Sequence, residues 1–468
     1  MNEPVCQGCR DRDVVITTLL QRVADLETAV RDLQAKLHQN STNSSCPPSA
    51  DPLDAPKRPT KQPTGKKPGA QPGHEACART RLPVDRVQTV VPLLPSHCQH
   101  CQAALPTAAQ PGDPEPSWHQ VLDLPPLVAH VTEYQGHSRT CPECQRVTHA
   151  AIPAEVKAHS LGPQLTAFCT YLRSLKVSLR GVQEIAQGLL GVNSALGTLK
   201  HLEQEMSAAL AQPHAEVVAA VRAAPVKHAD ETSWKEKGRR RWLWVVATAT
   251  YAVFSIHDKR GLAGLQAVLG EKFEGVLCSD RWSAYGSWDE QRRQVCWAHL
   301  KRDFQKCVDY GGDAQAIGEG GLNAVKALFA VWHLFRGGGL TRDGLLERIL
   351  PIAQRLKRLV RRGQQCALAK VGSFCGNLLE LWPALWNFTL REGVEPTNNH
   401  AERLLRRGVL WRKCSFGSQS AGGSEFVARL LTAVQTLRLQ QRPVLEWLVK
   451  AVTAHRNGLS APSLLPTG

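Results

Sequence analysis

The apolar residues near the N-terminus recur at steps of three and four positions. The series comprises Ile16, Leu19, Val23, Leu26, Val30, Leu33 and Leu37. An unbroken heptad seam with charged flanking positions is typical of a short coiled coil. We therefore predict a coiled-coil helix over residues 1–40. The alternative is a single amphipathic helix that lies on its own chain.

The heptad pattern stops at about residue 40. Residues 41–75 are rich in Pro, Ser, Lys and Gly and contain almost nothing apolar. Such a segment has too little apolar surface to bury and is predicted to be a disordered, basic linker. Its positive charges could slide along phosphates without reading bases, although a solvated linker explains them as well.

A helical period returns over residues 159–223. One face of its central helix carries Val182, Ile185, Ala186, Leu189 and Leu190. Gly191 then begins a turn in which Ser194 is predicted to cap the next helix. Two helices around a glycine turn indicate a helix-turn-helix-like DNA-binding segment whose second helix enters a major groove. An ordinary helical hairpin has the same pattern.

The period changes to that of strands over residues 224–312. The predicted strands are Pro225–Asp230, Trp242–Thr250, Val253–His257 and Gly275–Ser279, with a helix at Leu262–Leu269. Strands alternating with a helix indicate an α/β core. The whole chain is therefore expected to be a multidomain α+β protein.

Length and composition narrow the function. At 468 residues the chain exceeds the usual size of one core. Lys and Arg number 57 against 41 Asp and Glu, a net charge of +16 that favours a polyanionic partner; solubility alone is the alternative. No apolar run approaches the ~18 residues of a membrane span, and no secretory pattern is present, so we expect a cytoplasmic protein.

The cysteines suggest a metal rather than disulfides. The chain has 15, an odd number, and several lie among apolar neighbours. Two spaced pairs, Cys98-x-x-Cys101 and Cys141-x-x-Cys144, predict a structural Zn²⁺ site in a zinc-ribbon-like domain over residues 76–158. Reduced cysteines in a small β-rich domain are the alternative. The isolated Cys6-x-x-Cys9 pair is expected to be inert unless a partner chain supplies two more ligands.

Three acidic residues stand at the ends of predicted elements. Asp230 and Asp280 end two strands, and Glu402 lies in the first turn of a helix that Asn398 and Asn399 can cap. Carboxylates from distant parts of a chain that converge are the usual ligands for two divalent cations. Each Asp taken alone is equally consistent with a cap for the following turn.

Basic residues follow Glu402 at helical spacing. The predicted DNA contacts are Arg403, Arg406, Arg407, Arg412 and Lys413. Guanidinium groups beside a metal-binding carboxylate would hold DNA phosphates. The alternative for this stretch is a surface ion pair between Glu402 and Arg406.

Four motifs occur in a recognisable order: DETSW, VLCSDRWSAY, CWAHLKR and NNHAERLLRR. With the N-terminal heptads, the KKPGAQPGH linker, the paired cysteines and the later WRKCSFGSQSAG segment, the chain resembles the insertion-sequence-sixty-six family of bacterial DDE transposases. The resemblance implies an RNase H-like fold in which Asp230, Asp280 and Glu402 hold Mg²⁺ or Mn²⁺. It also implies a helical insertion over residues 313–394 and completion of the core by residues 395–468.

The same resemblance implies the chemistry and the partners. Two metal-dependent phosphoryl transfers would cut and join strands at the ends of an insertion sequence. The partners would be double-stranded DNA of the terminal inverted repeats and target, a homodimer or higher oligomer, and accessory proteins of the element, in the bacterial cytoplasm at the nucleoid. A catalytically silent DNA-binding derivative and an RNase H-like nuclease or resolvase are the alternatives.

Cys296-x-x-His299 matches a motif that related DDE families carry between the second Asp and the Glu. It has half the ligands of a zinc site, with no second pair near it in sequence. We interpret Cys296 and His299 as residues behind the catalytic carboxylates, with His299 contacting the active centre. A satisfied core histidine is the simpler interpretation.

Overall fold

The computed structural model describes residues 7–37, 39–40, 43, 80–125 and 127–466. The chain divides into two compact units, one spanning residues 57–130 and the other containing the remainder. The predicted linker and Cys6 lie outside the described residues, apart from Asn43. The described fold mixes helices with two sheets, which confirms the α+β class. Nowhere in the described part does a helix combine the length and hydropathy needed to cross a membrane.

The N-terminal heptads form helix α1, Gln7–Leu37. Its seam residues from Ile16 to Leu37 are all at least half exposed; Val30, the least exposed of them, is 50% exposed. The described chain therefore leaves this seam uncovered, which argues against the alternative of a helix packed on its own protein. Pairing with a second chain stays a prediction.

A short hairpin and a helical segment precede the main sheet. Strands β1 and β2 form an antiparallel pair, and five helices follow: β1 Ser138–Thr140, β2 Val147–His149, α2 Ala154–Lys157, α3 Pro163–Ser174, α4 Leu179–Leu190, α5 Leu196–Ala209 and α6 Ala211–Ala223. Helices α3, α4 and α5 share a small core of Cys169, Val182, Leu199 and Leu202.

The turn between α4 and α5 corrects one prediction. Gly191 ends α4 in the left-handed conformation, as a glycine at a helix C-terminus does. However, α5 is preceded by Ala195, which provides no side-chain cap, and the Ser194 hydroxyl is buried without a hydrogen bond among the described residues. The prediction that Ser194 caps α5 is wrong because the helix begins one residue later than the sequence suggests.

The main sheet has five strands in the order β5-β4-β3-β6-β7. They are β3 Val226–Glu236, β4 Arg239–Ala247, β5 Ala252–His257, β6 Val276–Ser279 and β7 Arg293–Val295, with α7 Leu262–Leu269 between β5 and β6. Strands β3, β4 and β5 are antiparallel neighbours, whereas β6 and β7 continue the sheet in parallel with β3. The sequence pattern did not reveal β7.

Strand β3 is longer than predicted. The sequence placed its end at Asp230, but pairing with β4 continues to Glu236, opposite Arg239. The prediction of a strand end at Asp230 is therefore wrong, because the polar residues after Asp230 belong to a two-stranded extension. The pairing that ends near Asp230 is the one with β6, which covers only Val226–His228 of β3.

Helices follow the sheet and form a second core. They are α8 Trp297–Asp309, α9 Gly312–Arg336, α10 Arg342–Gly363, α11 Ala369–Glu380 and α12 Asn387–Leu390. Their inward faces form one apolar cluster that also includes Val276 and Cys278 of β6. Gly321 of α9 lies directly on the Phe304 ring of α8, where an added Cβ would fall 2.1 Å from a ring carbon.

Three C-terminal helices return to the sheet: α13 Asn399–Ser415, α14 Ala421–Leu439 and α15 Val444–Arg456. Helix α14 covers the edge strand β5, where the hydroxyls of Thr432 and Thr436 accept hydrogen bonds from the backbone N–H groups of Phe254 and Ala252 at 2.9 and 3.1 Å. This protects an edge that would otherwise expose unpaired N–H groups.

A candidate metal centre of three carboxylates

The strand register brings Asp230 and Asp280 together. His228 of β3 pairs with Cys278 of β6 in parallel, so Asp230 and Asp280 each lie two residues beyond this last paired position. Neighbouring strands are about 4.8 Å apart. Because β6 ends at Ser279, Asp280 is the first residue after the strand, and both aspartates follow the same end of the parallel pairing.

Backbone contacts fix the Asp280 segment. The Oδ1 atom of Asp280 accepts a hydrogen bond from the N–H of Trp282 at 2.9 Å. Its main-chain oxygen accepts one from the Arg293 guanidinium at 2.7 Å. Arg293 is only 2% exposed, and burial lowers its pKa to about 10, which leaves it a cation at neutral pH. The turn after β6 is thereby held against β7.

Helix α13 supplies Glu402 from its first turn. The residue before the helix, Asn398, was predicted to cap it, but its side chain makes no capping hydrogen bond. Instead its Nδ2 donates to the Ala229 carbonyl at 2.7 Å, and its Oδ1 faces Nδ1 of His228 at 3.3 Å. Asn398 thus joins the start of α13 to β3 next to Asp230, and the capping prediction for this side chain is wrong.

The electrostatics of Asp230 indicate that Asp280 and Glu402 are near enough for their charges to act on it. Burial raises the pKa of Asp230 well above its usual value, and the negative charges of Glu231, Asp280 and Glu402 raise it further. One backbone hydrogen bond from Glu231, at 3.0 Å, opposes the shift. Carboxylates crowded in this way need either protons or a cation.

A fourth carboxylate, Glu231, adjoins this centre and was not singled out from the sequence. Its Oε1 accepts from Arg260 at 3.0 Å and its Oε2 accepts from the Tyr285 hydroxyl at 2.7 Å. Arg260 also stacks over the rings of Trp242 and Trp282. Burial still raises the pKa of Glu231. Glu231 is therefore occupied by its own partners, and only its position after Asp230 hinted at its place.

Cys296 and His299 lie against Glu402. Cys296 is the residue before α8 and His299 is in its first turn. The cysteine sulfur, an imidazole nitrogen and a Glu402 oxygen all lie within 4.8 Å of one another. The His299 Nδ1 and Glu402 Oε1 atoms are 3.4 Å apart. Burial and the nearby Arg302 lower the pKa of His299, although Glu402 raises it.

The basic residues of α13 fall into two groups. Arg403, Arg406, Arg407 and Lys413 are exposed. Arg412 is half-buried and donates to the carbonyl and hydroxyl oxygens of Ser233 and to the Thr232 hydroxyl, and burial lowers its pKa. Glu402 faces His299, and no ion pair with Arg406 occurs in the described structure.

Comparison with known proteins covers the strands and helices that carry the three carboxylates. The description "Transposase IS66 family" matches residues 160–426, from before α3 into α14. This covers more than half of the chain and includes all three carboxylates. The chain belongs to the transposase IS66 family. Residues 2–80 separately match a family of unknown function, DUF6444.

One curated relative matches part of this IS66-family chain. It is 24% identical over 254 residues to "Uncharacterized protein y4qI" of Sinorhizobium fredii (strain NBRC 101917 / NGR234), which is 49% of this chain and 46% of that protein. The chain thus spans about half the length of the curated relative it matches.

The predicted zinc ligands precede the IS66 match, and their two pairs lie in different compact units. Within each pair the backbone makes the same tight turn, since Gln102 donates to the Cys98 carbonyl and Gln145 to the Cys141 carbonyl, at 3.0 and 2.9 Å. Both glutamines have a φ of 60°.

N–H groups of the turns point at the first sulfur of each pair and lower the pKa values of Cys98 and Cys141. Cys101 and Cys144 are exposed, free thiols. The four-cysteine site itself stays a prediction.

Proposed function

We propose that this protein is a DDE transposase that cuts and joins DNA strands at the ends of an insertion sequence. Membership of the transposase IS66 family supports the activity. The observation that supports the mechanism is that the negative charges of Asp280 and Glu402 both act on the buried Asp230.

The donor set suits the metal that this chemistry requires. Three carboxylates offer the hard oxygen ligands that Mg²⁺ and Mn²⁺ prefer. The Oε1 atom of Glu402 is buried and accepts no hydrogen bond within the described structure, as expected for an atom reserved for a cation. Asp230, Asp280 and Glu402 would hold the ions. A bound pair of divalent cations activates the attacking oxygen and stabilises the leaving oxygen in phosphoryl transfer.

The surrounding residues keep these ligands in place. The Trp282 N–H and the Arg293 guanidinium hold the Asp280 segment, and Asn398 ties the helix of Glu402 to the strand of Asp230. Arg260 and Tyr285 hold Glu231, so this neighbouring carboxylate is kept apart as a separate ion pair. Ligands fixed in advance cost less reorganisation when substrate binds.

The DNA-binding and assembly roles follow from charge and shape. The exposed Arg403, Arg406, Arg407 and Lys413 of α13 would hold phosphates beside Glu402, and the net charge of +16 would draw in double-stranded DNA. The core would be RNase H-like, the α4–α5 pair a helix-turn-helix, and α1 the oligomer contact. The paired cysteines would hold structural Zn²⁺, and accessory proteins of the element would join at the bacterial nucleoid.

The test is strand cleavage of DNA that carries the element's own ends, in Mg²⁺. Asp230→Asn and Glu402→Gln should each lower the cleavage rate by more than about a hundredfold, or about 2.7 kcal/mol of transition-state stabilisation, while end binding changes only a few-fold. Glu425→Gln is the matched control, because Glu425 is a helical glutamate that pairs with Arg429 on α14. Cleavage at the wild-type rate by either catalytic variant would refute the proposed triad.

A further inference from the structure

A second, softer set of ligands overlaps the carboxylate centre. The Cys296 thiol, the His299 imidazole and the Glu402 carboxylate each offer one ligand atom. These three atoms all lie within 4.8 Å of one another. Cysteine and histidine at this spacing lie on one face of the first turn of α8. Sulfur and nitrogen ligands suit zinc rather than magnesium. The cluster therefore differs in chemistry from the three-carboxylate centre, although the two share Glu402.

The geometry of the imidazole and carboxylate fits a tetrahedral ion. Two ligands at the usual zinc distances of about 2.0–2.1 Å stand about 3.3 Å apart in a tetrahedral site. His299 Nδ1 and Glu402 Oε1 are 3.4 Å apart. Both atoms are buried, and neither has a hydrogen-bond partner in the part of the chain that the structure describes. Buried polar atoms normally have a partner, and a cation bound by both atoms would provide one.

Backbone N–H groups around the sulfur would stabilise a thiolate once a metal is present. Cys296 is 1% exposed, and its sulfur accepts the backbone N–H of Asn398 at 3.1 Å. Burial raises the pKa of this thiol to about 12, and the charge of Glu402 also raises it, whereas the N–H groups of Asn398, His299 and Ala298 lower it. The thiol is thus protonated without a metal, and a bound ion would release that proton.

We propose that Cys296, His299 and Glu402 bind one zinc-class divalent cation, and that this ion inhibits the enzyme by taking Glu402 from the catalytic metals. A thiolate and a carboxylate would neutralise the charge of the ion, and the open fourth position would be filled by water. The catalytic metals would then keep two of their three carboxylate ligands, Asp230 and Asp280. Binding at this site is independent of the DNA reaction, whereas inhibition rests on the proposed function.

Cobalt(II) is the probe for binding, because it replaces zinc and absorbs in the near ultraviolet when a thiolate is a ligand. The full-length chain is titrated with Co²⁺ and compared with Cys296→Ser, which removes the sulfur. Cys307→Ser is the matched control, because Cys307 is a buried cysteine further along α8. Comparing variants of the whole chain subtracts any cobalt held by the paired cysteines.

The wild-type chain should bind one more Co²⁺ than Cys296→Ser and show stronger thiolate-to-cobalt absorption, and Cys307→Ser should match wild type. Glu402→Gln keeps the sulfur but removes a direct ligand, and it should weaken Co²⁺ binding at this site by at least about tenfold. Loss of a contact that only supports a ligand already lowers metal affinity by about that factor. Equal stoichiometry and spectra in wild type and Cys296→Ser would overturn the site.

Inhibition is tested separately by adding Zn²⁺ to the Mg²⁺-dependent cleavage assay. Zinc should inhibit the wild-type enzyme, and Cys296→Ser should need at least about tenfold more zinc for the same inhibition. Equal inhibition of both proteins would overturn the inhibitory role. A wild-type chain that gives the expected cobalt spectrum but never cuts DNA would contradict the proposed function and still support the metal site.

Discussion

At the scale of single residues, the centre is defined by carboxylates that disfavour one another's charge. Burial and three neighbouring carboxylates all raise the pKa of Asp230. A carboxyl whose pKa is raised in the folded state binds its proton more tightly than the unfolded chain does. The free energy of unfolding therefore falls as pH rises from the ordinary pKa of 3.8 toward the raised value. At neutral pH the metal-free centre destabilises the fold.

Asp230→Asn should therefore raise the melting temperature of the metal-free protein at neutral pH, because the amide keeps the shape and removes the buried charge. Added Mg²⁺ should raise the melting temperature of wild type and should do so much less in Asp230→Asn. Calorimetry in EDTA and in Mg²⁺ measures both effects. A variant that melts below wild type in EDTA would show that the Asp230 charge has a compensating partner in the fold.

The sequence could indicate this centre but not its construction. Asp230, Asp280 and Glu402 were identifiable because ordered motifs surround them. The hydrogen bonds of Asn398 to β3 and of Arg260 to Glu231 were not, because each joins residues far apart in the chain. A side chain that looks like a cap in the sequence can find a tertiary partner instead, and that choice depends on the folded neighbours.

At the scale of elements, close packing between helices sets where the ligands stand. Cys296 and His299 sit at the start of α8, and α8 is held by α9 through the contact of Gly321 with Phe304. The ring of Phe304 is fully buried, so it has no room to move away. The family resemblance implied a helical insertion over residues 313–394, which contains most of α9, but no local pattern marks which glycine lies under which ring.

Gly321→Ala should lower the free energy of unfolding by about 1–3 kcal/mol, the usual cost of overpacking. The physical reason is the 2.1 Å approach of the new Cβ to Phe304. Gly188→Ala is the control, because this α4 glycine has nothing within 4 Å of a built Cβ, and alanine there should stabilise by up to about 1 kcal/mol. Urea denaturation compares the two. Similar stabilisation by both substitutions would show that α9 has room at Gly321.

At the scale of the whole molecule, the uncovered seam of α1 is the feature that calls for a second chain. Residues of the seam and residues beside it are about equally exposed: Leu26 and Leu20 are both 65% exposed. Only Leu26 belongs to the heptad series. The proposed function needs two element ends in one assembly, and a coiled coil of two copies would supply it.

Leu26→Lys should lower the oligomeric mass in solution, because a charge at a seam position opposes helix pairing. Leu20→Lys is the matched control and should leave the mass unchanged. Light scattering or sedimentation measures the mass of both variants and of a chain lacking residues 1–40. An unchanged mass in Leu26→Lys and in the truncated chain would remove the coiled-coil interpretation.

The measurement that tests the three-carboxylate centre most directly is Mn²⁺ binding to the full-length chain. Asp280→Asn should weaken Mn²⁺ binding by at least about tenfold, since loss of a direct ligand costs at least as much as loss of a supporting contact. Asp289→Asn should bind like wild type, because the Asp289 carboxylate accepts the backbone N–H of Gln291 in the turn before β7. Equal Mn²⁺ affinity in wild type and Asp280→Asn would contradict a metal cluster built from Asp230, Asp280 and Glu402.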